Sequence, residues 1–181
     1  MKKALKRMLS LFLAITLIAV VPVSTNAASN ASKAKAKYEA YIEKNKSGIY
    51  QYKIVDIDKN KIPELIVIRY DKAKTYVYSY DTKKKAMVAV KTVSYGRGYG
   101  AWYNTSKHYV TISKGSTTDF TYTVYKIKGK KASKVTYFSG SYNVKTGKWK
   151  YKYKKKSIST AKFKSYYKKY VTNYKTLDYV N

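Results

Sequence analysis

From residue 50 to residue 154, apolar and polar positions alternate in short runs separated by lysine-rich breaks. A period of two residues is the mark of β-strands with one covered face. Strands are predicted at about 50–55, 64–70, 75–80, 86–94, 99–103, 108–113, 119–128, 132–138 and 148–154. The breaks at 114–116, 128–130 and 146–147 hold Lys-Gly or Thr-Gly pairs suited to tight hairpins. One run departs from the alternation. Leu65-Ile66-Val67-Ile68 is apolar throughout, which predicts a central strand covered on both faces.

Two segments change to a helical period. Over residues 33–46, Ala34, Tyr38, Tyr41 and Ile42 fall on one face, and Ser47-Gly48 supplies a stop after a frayed lead-in at 29–37. Over residues 157–174, Phe163, Tyr167, Tyr170, Val171 and Tyr174 form a stripe, with Ser159 or Thr160 as N-cap. The expected fold is α+β: one antiparallel β-meander sheet of about 7–9 strands with an N-terminal and a C-terminal amphipathic helix. No Pro- or Gly-rich linker divides residues 29–181, so they read as a single domain.

The chain opens differently. Lys2, Lys3, Lys6 and Arg7 precede an apolar run over 8–23 and the small residues Thr25-Asn26-Ala27-Ala28. This is the pattern of a signal peptide, expected to span 1–28 and to be cleaved after Ala27 or Ala28. The run is shorter than the roughly 20 residues of a spanning helix, and Pro22 interrupts its end. The expectation is a secreted, extracellular protein, held at most to the cell wall, with no transmembrane segment after cleavage. Cysteine is absent, which excludes disulfides and a lipid-modified cysteine.

Charge narrows the partners. The chain has 39 Lys and Arg against 9 Asp and Glu, a formal charge of +30. Removing 1–28 takes away four positive charges and leaves +26. A codon bias that enriches lysine and tyrosine would raise the acidic residues too, so the basic surface reads as selected. Such a field concentrates polyanions. The expected partners are anionic wall polymer or acidic polysaccharide, with DNA as the alternative. Arginine is limited to Arg7, Arg69 and Arg97, which argues against base reading by bidentate contacts. The 23 tyrosines fit half-buried strand faces, or a stacking platform for sugars or bases.

Three of the nine acidic residues lie close together. Asp56, Asp58, Asn60 and Glu64 recur at i, i+2, i+4 and i+8, just before the apolar run. Alternate loop residues can surround one Ca²⁺ with oxygens, the carbonyl of Ile62 being a further ligand. Equally, Asp56, Asp58 and Asn60 can bond nearby backbone amides as a polar turn. The segment resembles the calcium-loop hairpins of FG-GAP and VCBS-type blades, D-x-D-x-[DN]-G-x-x-[DE]-L. It is more similar still to uncharacterised secreted proteins of Gram-positive bacteria that carry D-I-D-x-[DN]-G-x-P-E-L. The resemblance implies export and a calcium-loop hairpin, and brings no activity. Lys61 stands where the motif has glycine, and a left-handed backbone there would cost about 1 kcal/mol. The loop is not an EF-hand, because Val67 occupies the place of its bidentate glutamate.

Catalytic constellations are thin. His108 is the one histidine, and no nucleophile elbow, HExxH or phosphate-cradling loop occurs. The expected function is a secreted, non-catalytic binding module. Extracellular nucleic-acid binding is the alternative, and an enzyme or inhibitor acting on a partner protein comes third. Candidate ligand contacts are Arg97, Tyr99 and Trp102 in a glycine-rich aromatic loop, and Trp149, Tyr151 and Tyr153 in a lysine–aromatic strand.

Overall fold

The computed structural model describes residues 25–180. Helix α1 (Thr25–Lys44) ends in a short 3₁₀ turn, Lys46–Gly48, and leads into β1 (Ile49–Val55). Strands β2 (Glu64–Arg69), β3 (Lys74–Asp81) and β4 (Ala86–Ser94) continue the hairpins. Then come β5 (Gly98–Asn104), β6 (Tyr109–Gly115), β7 (Asp119–Lys128), β8 (Lys131–Asn143) and β9 (Lys148–Tyr153). Strand β10 (Lys156–Ile158) precedes helix α2 (Thr160–Tyr167), whose N-cap Ser159 accepts from the amide of Lys162. A π-helical turn, Lys168–Thr172, leads to β11 (Lys175–Thr176) and β12 (Asp178–Tyr179).

These strands make two sheets where the pattern predicts one. The first runs β12-β1-β2-β3-β4 and the second β10-β9-β8-β7-β6-β5-β11, every pairing antiparallel. The chain leaves the first sheet after β4 through Tyr95-Gly96-Arg97 and starts the second at β5. The α+β class holds, but the expected meander of about 7–9 strands is replaced by twelve strands among the described residues.

The reason lies in which faces are apolar. Ile66, Ile68 and Val77 of the first sheet meet Ala101, Val110, Ile112 and Ile127 of the second in one buried core. On the outer face of the first sheet, Leu65, Val67 and Tyr80 take Ala34, Tyr38 and Ile42 of α1. On the outer face of the second, Val124 and Phe138 take Phe163 of α2 and Tyr170, Val171 and Tyr174 that follow it. The order is helix, sheet, sheet, helix. Leu65–Ile68 is covered on both faces because it lies between α1 and the second sheet. Each fully buried aliphatic side chain contributes about 1.5–3 kcal/mol, so neither sheet is stable with a face left open.

The tyrosines mostly line the joints between helix and sheet. Tyr41 packs on Tyr78 at 5.3 Å, and Tyr153 stacks on Tyr166 at 4.1 Å. Their rings fill volume while some hydroxyls find partners, as when Tyr38 donates to the carbonyl of Pro63 at 3.0 Å.

Both helices differ from their expected bounds. The lead-in expected over 29–37 is helical, and α1 begins at Thr25. The expected C-terminal helix over 157–174 is the shorter α2, and the chain returns to the first sheet after it. Residues 1–24 of the expected signal peptide lie outside the described residues. No helix among the described residues is long and apolar enough to cross a membrane.

Candidate functional site

The acidic loop joins β1 to β2 and folds back on its own amides. Asp56 accepts from the backbone N–H of Asn60 at 3.1 Å and of Lys61 at 2.9 Å. Asp58 accepts from Asn60 at 3.2 Å and, across to the second sheet, from the amide of Gly129 in the β7–β8 turn. Asn60 Oδ1 accepts from the amide of Ile62 at 2.7 Å. Two lysines adopt left-handed backbone here, Lys59 at φ 60° and Lys61 at φ 70°. Lys61 therefore carries the strain that glycine would avoid.

Beneath the turn sits Glu64, fully buried. Its Oε2 accepts from the amide of Ile57 at 2.9 Å, while its Oε1 has no hydrogen-bond partner. Burial pushes its carboxyl up to about 8, with the charges of Asp58 and Asp56 adding to the rise and the Ile57 amide opposing it. The same burial, reinforced by the nearby Glu64 charge, lifts the phenol of Tyr38 above its ordinary range.

Asp56, Asp58 and Glu64 each present an oxygen within 4.8 Å of the others. Three carboxylates this close, that of Glu64 buried with one oxygen unpartnered, offer the hard oxygens that a cation such as Ca²⁺ seeks. Those three would hold it. Asn60 and Ile62, expected as further ligands, are joined to each other through the turn. The lysines beside the loop weaken any such site through their charge.

The second candidate is a cleft at the corner where the two sheets part. Arg97, Tyr99 and Trp102 line it together, in a space of about 460 Å³. Tyr50 and Gln51 of β1 and Leu177 and Tyr179 of the last segment complete it. Tyr50 meets Tyr99 edge-on at 5.2 Å and Tyr179 at 5.3 Å. Gly100 lets the Trp102 ring lie against the strand, since a Cβ there would stand 2.5 Å from it. Arg97 is exposed at the rim.

The remaining ligand candidates lie elsewhere. Trp149, Tyr151 and Tyr153 project from β9 toward α2. Tyr151 stacks on Phe163 at 4.4 Å, and Trp149 packs on Phe120 at 5.3 Å. Tyr151 and Tyr153 bind the helix to its sheet, whereas Trp149 packs on strand residues and stays exposed. His108 occupies the β5–β6 turn at φ 60°, next to the Tyr109–Lys126 pair. Asp119 stands beyond the Gly115–Phe120 pair at the other end of the same ladder, roughly 20 Å away by strand rise.

Tyr50 and Tyr179 escaped the sequence reading. Tyr50 looked like an ordinary strand residue, and β12 is too short to leave a periodic signal.

The chain matches no known protein family and no curated protein. Among solved structures it is similar to a Xanthomonas type IV secretion system related protein, at 16% identity and a TM-score of 0.40. That likeness covers 61% of this chain, which spans 58% of the other protein's length.

Proposed function

We propose that the protein is a secreted, non-catalytic binding module for anionic polymers of a cell envelope, exported through residues 1–28. The meeting of Arg97 and Tyr99 with Tyr50 and Tyr179 in one cleft supports this reading most directly. Aromatic faces suit the C–H faces of sugar rings, and a guanidinium suits a carboxylate or phosphate in a bidentate fork. The formal charge of +30 raises the local concentration of such polymers. The acidic loop then acts as a strut, and Ca²⁺ on Asp56, Asp58 and Glu64 would neutralise its carboxylates.

Retention on purified cell walls and on an acidic polysaccharide, measured across a salt series, tests the reading. Binding should fall steadily with salt as counterions compete. The double variant Arg97→Ala, Tyr99→Ala should bind at least about tenfold more weakly, a loss of about 1.4 kcal/mol. Retention indifferent to salt, or stronger binding to DNA at physiological salt, would overturn it.

A further inference from the structure

Strand β9 alternates strictly, Lys148, Lys150 and Lys152 against Trp149, Tyr151 and Tyr153. Tyr151 and Tyr153 are committed to α2, and Trp149 lies on the same face, stacked on Tyr151. The lysines therefore leave the sheet on its other face, the one that the first sheet covers farther along. That cover stops short. Ala132, at the start of β8, still packs into the core between the sheets, whereas all three lysines are exposed. None of the three forms an ion pair among the described residues.

Register shows what paves this flank. Lys152 lies opposite Ser139, and Lys150 opposite Ser141. Ser139 lies opposite Thr121, which lies opposite Lys114, itself exposed. Asp119, opposite Ser141, is an acid on this face, and its carboxylate accepts from Thr118 Oγ1 at 3.2 Å. The surface is thus a floor of hydroxyls edged by a row of lysines. Consecutive lysines along β9 are spaced by two residues, roughly 6.6 Å.

That interval has a chemical counterpart. Three chain bonds span roughly 3.3–3.6 Å, so a phosphodiester repeat of six bonds, as in glycerol phosphate, spans roughly 7 Å. A nucleic-acid strand has the same repeat, but its bases gain affinity by stacking on aromatic rings. The rings of β9 are on the opposite face, and the two tyrosines on this one are already engaged, Tyr137 under Lys134 at 5.3 Å and Tyr99 against Tyr95 at 4.6 Å and Tyr50 at 5.2 Å. We propose that the uncovered flank of the second sheet docks a linear phosphodiester polymer without bases, its phosphates running along Lys148, Lys150 and Lys152. This rests on the reading of the protein as a polyanion-binding module, and names the polymer class and the surface that takes it.

The test is a salt series of binding to three probes of equal charge number: poly(glycerol phosphate), a polyuronate and oligothymidylate. The parent is compared with Lys148→Gln/Lys150→Gln/Lys152→Gln and with Lys33→Gln/Lys37→Gln/Lys44→Gln, an equal charge change on exposed positions of α1. Unchanged melting temperatures establish that both variants are folded. The β9 variant should bind poly(glycerol phosphate) at least about tenfold more weakly, and its slope of log K against log salt should be shallower by about 2. The α1 variant should change that slope by less than about 1. Equal losses in both variants, or preference for oligothymidylate, would overturn the inference. Parent binding to polyuronate but not to poly(glycerol phosphate) would remove the inference and leave the broader reading standing. Parent binding to none of the three would remove both.

Discussion

Replacing Glu64 with glutamine should flatten the response of stability to pH between about 5 and 8. In the folded chain burial holds this carboxyl up to about 8, against an ordinary 4.5. The folded state therefore keeps its proton more tightly than the unfolded chain does. That contribution is fully present below 4.5 and is lost as pH rises through about 8. At 1.36 kcal/mol per pH unit, the loss between pH 5 and pH 8 comes to about 3 kcal/mol, a large part of a domain's stability. Glutamine keeps an acceptor for the Ile57 amide and offers Asp56 and Asp58 an N–H in place of a third charge. Urea unfolding of parent and Glu64→Gln at pH 5, 6, 7 and 8, in the presence of chelator, reads the difference. The parent should fall by about 3 kcal/mol relative to the variant across that range. With Ca²⁺ held by Asp56, Asp58 and Glu64 as proposed, millimolar Ca²⁺ should remove the fall, because a bound cation would keep Glu64 ionised without penalty. Parallel profiles for the two proteins in chelator would refute the reasoning.

Lys61→Gly should stabilise the protein by about 1 kcal/mol, since Lys61 sits at φ 70° and glycine enters that region without strain; thermal unfolding with chelator present is the measurement. Phe138→Ala should cost about 3–5 kcal/mol, because the buried ring touches Tyr122, Phe163, Tyr166 and Tyr170 and its loss loosens α2 from its sheet. Denaturant unfolding and the near-ultraviolet dichroism of the surrounding tyrosines report that loss.

The period-two pattern located β1 and β3 to β9 because each is long enough to show alternation, and β2 was legible from its unbroken apolar run. Strands β10, β11 and β12 have two or three residues, too few to carry a period, so the pairings that tie the chain's last segment to both sheets left no trace. The number of sheets was concealed for another reason. Alternation says that a face is covered but not by what, and Leu65–Ile68 demanded two covers without naming the second. The acidic loop was visible because its oxygens are close in sequence. The cleft was half visible: Arg97, Tyr99 and Trp102 form one local cluster, while Tyr50 and Tyr179 arrive from the two ends of the described fold. Trp149, Tyr151 and Tyr153 looked like a binding face, and only the position of α2 reveals which side of β9 is spoken for.

The last segment has a consequence for motion. Strand β11 pairs with β5 at Tyr103 and Trp102, and β12 pairs with β1 at Gln51 and Tyr52, so a few consecutive residues belong to both sheets. Leu177 between them is buried, whereas Lys175, Thr176, Asp178 and Tyr179 are exposed. Lys53 adds an ion pair to Asp178 at 2.8 Å, partly open to solvent and correspondingly weak. One buried leucine and two short ladders give this latch a low free energy of opening beside the long hairpins it joins. Its closure also bridges wide separations in the sequence, at a cost in loop entropy. The amides of 175–179 should thus exchange with solvent well before those of β2 and β6. Since Leu177 and Tyr179 form a wall of the cleft, each such opening widens the space beside Tyr50 and Arg97.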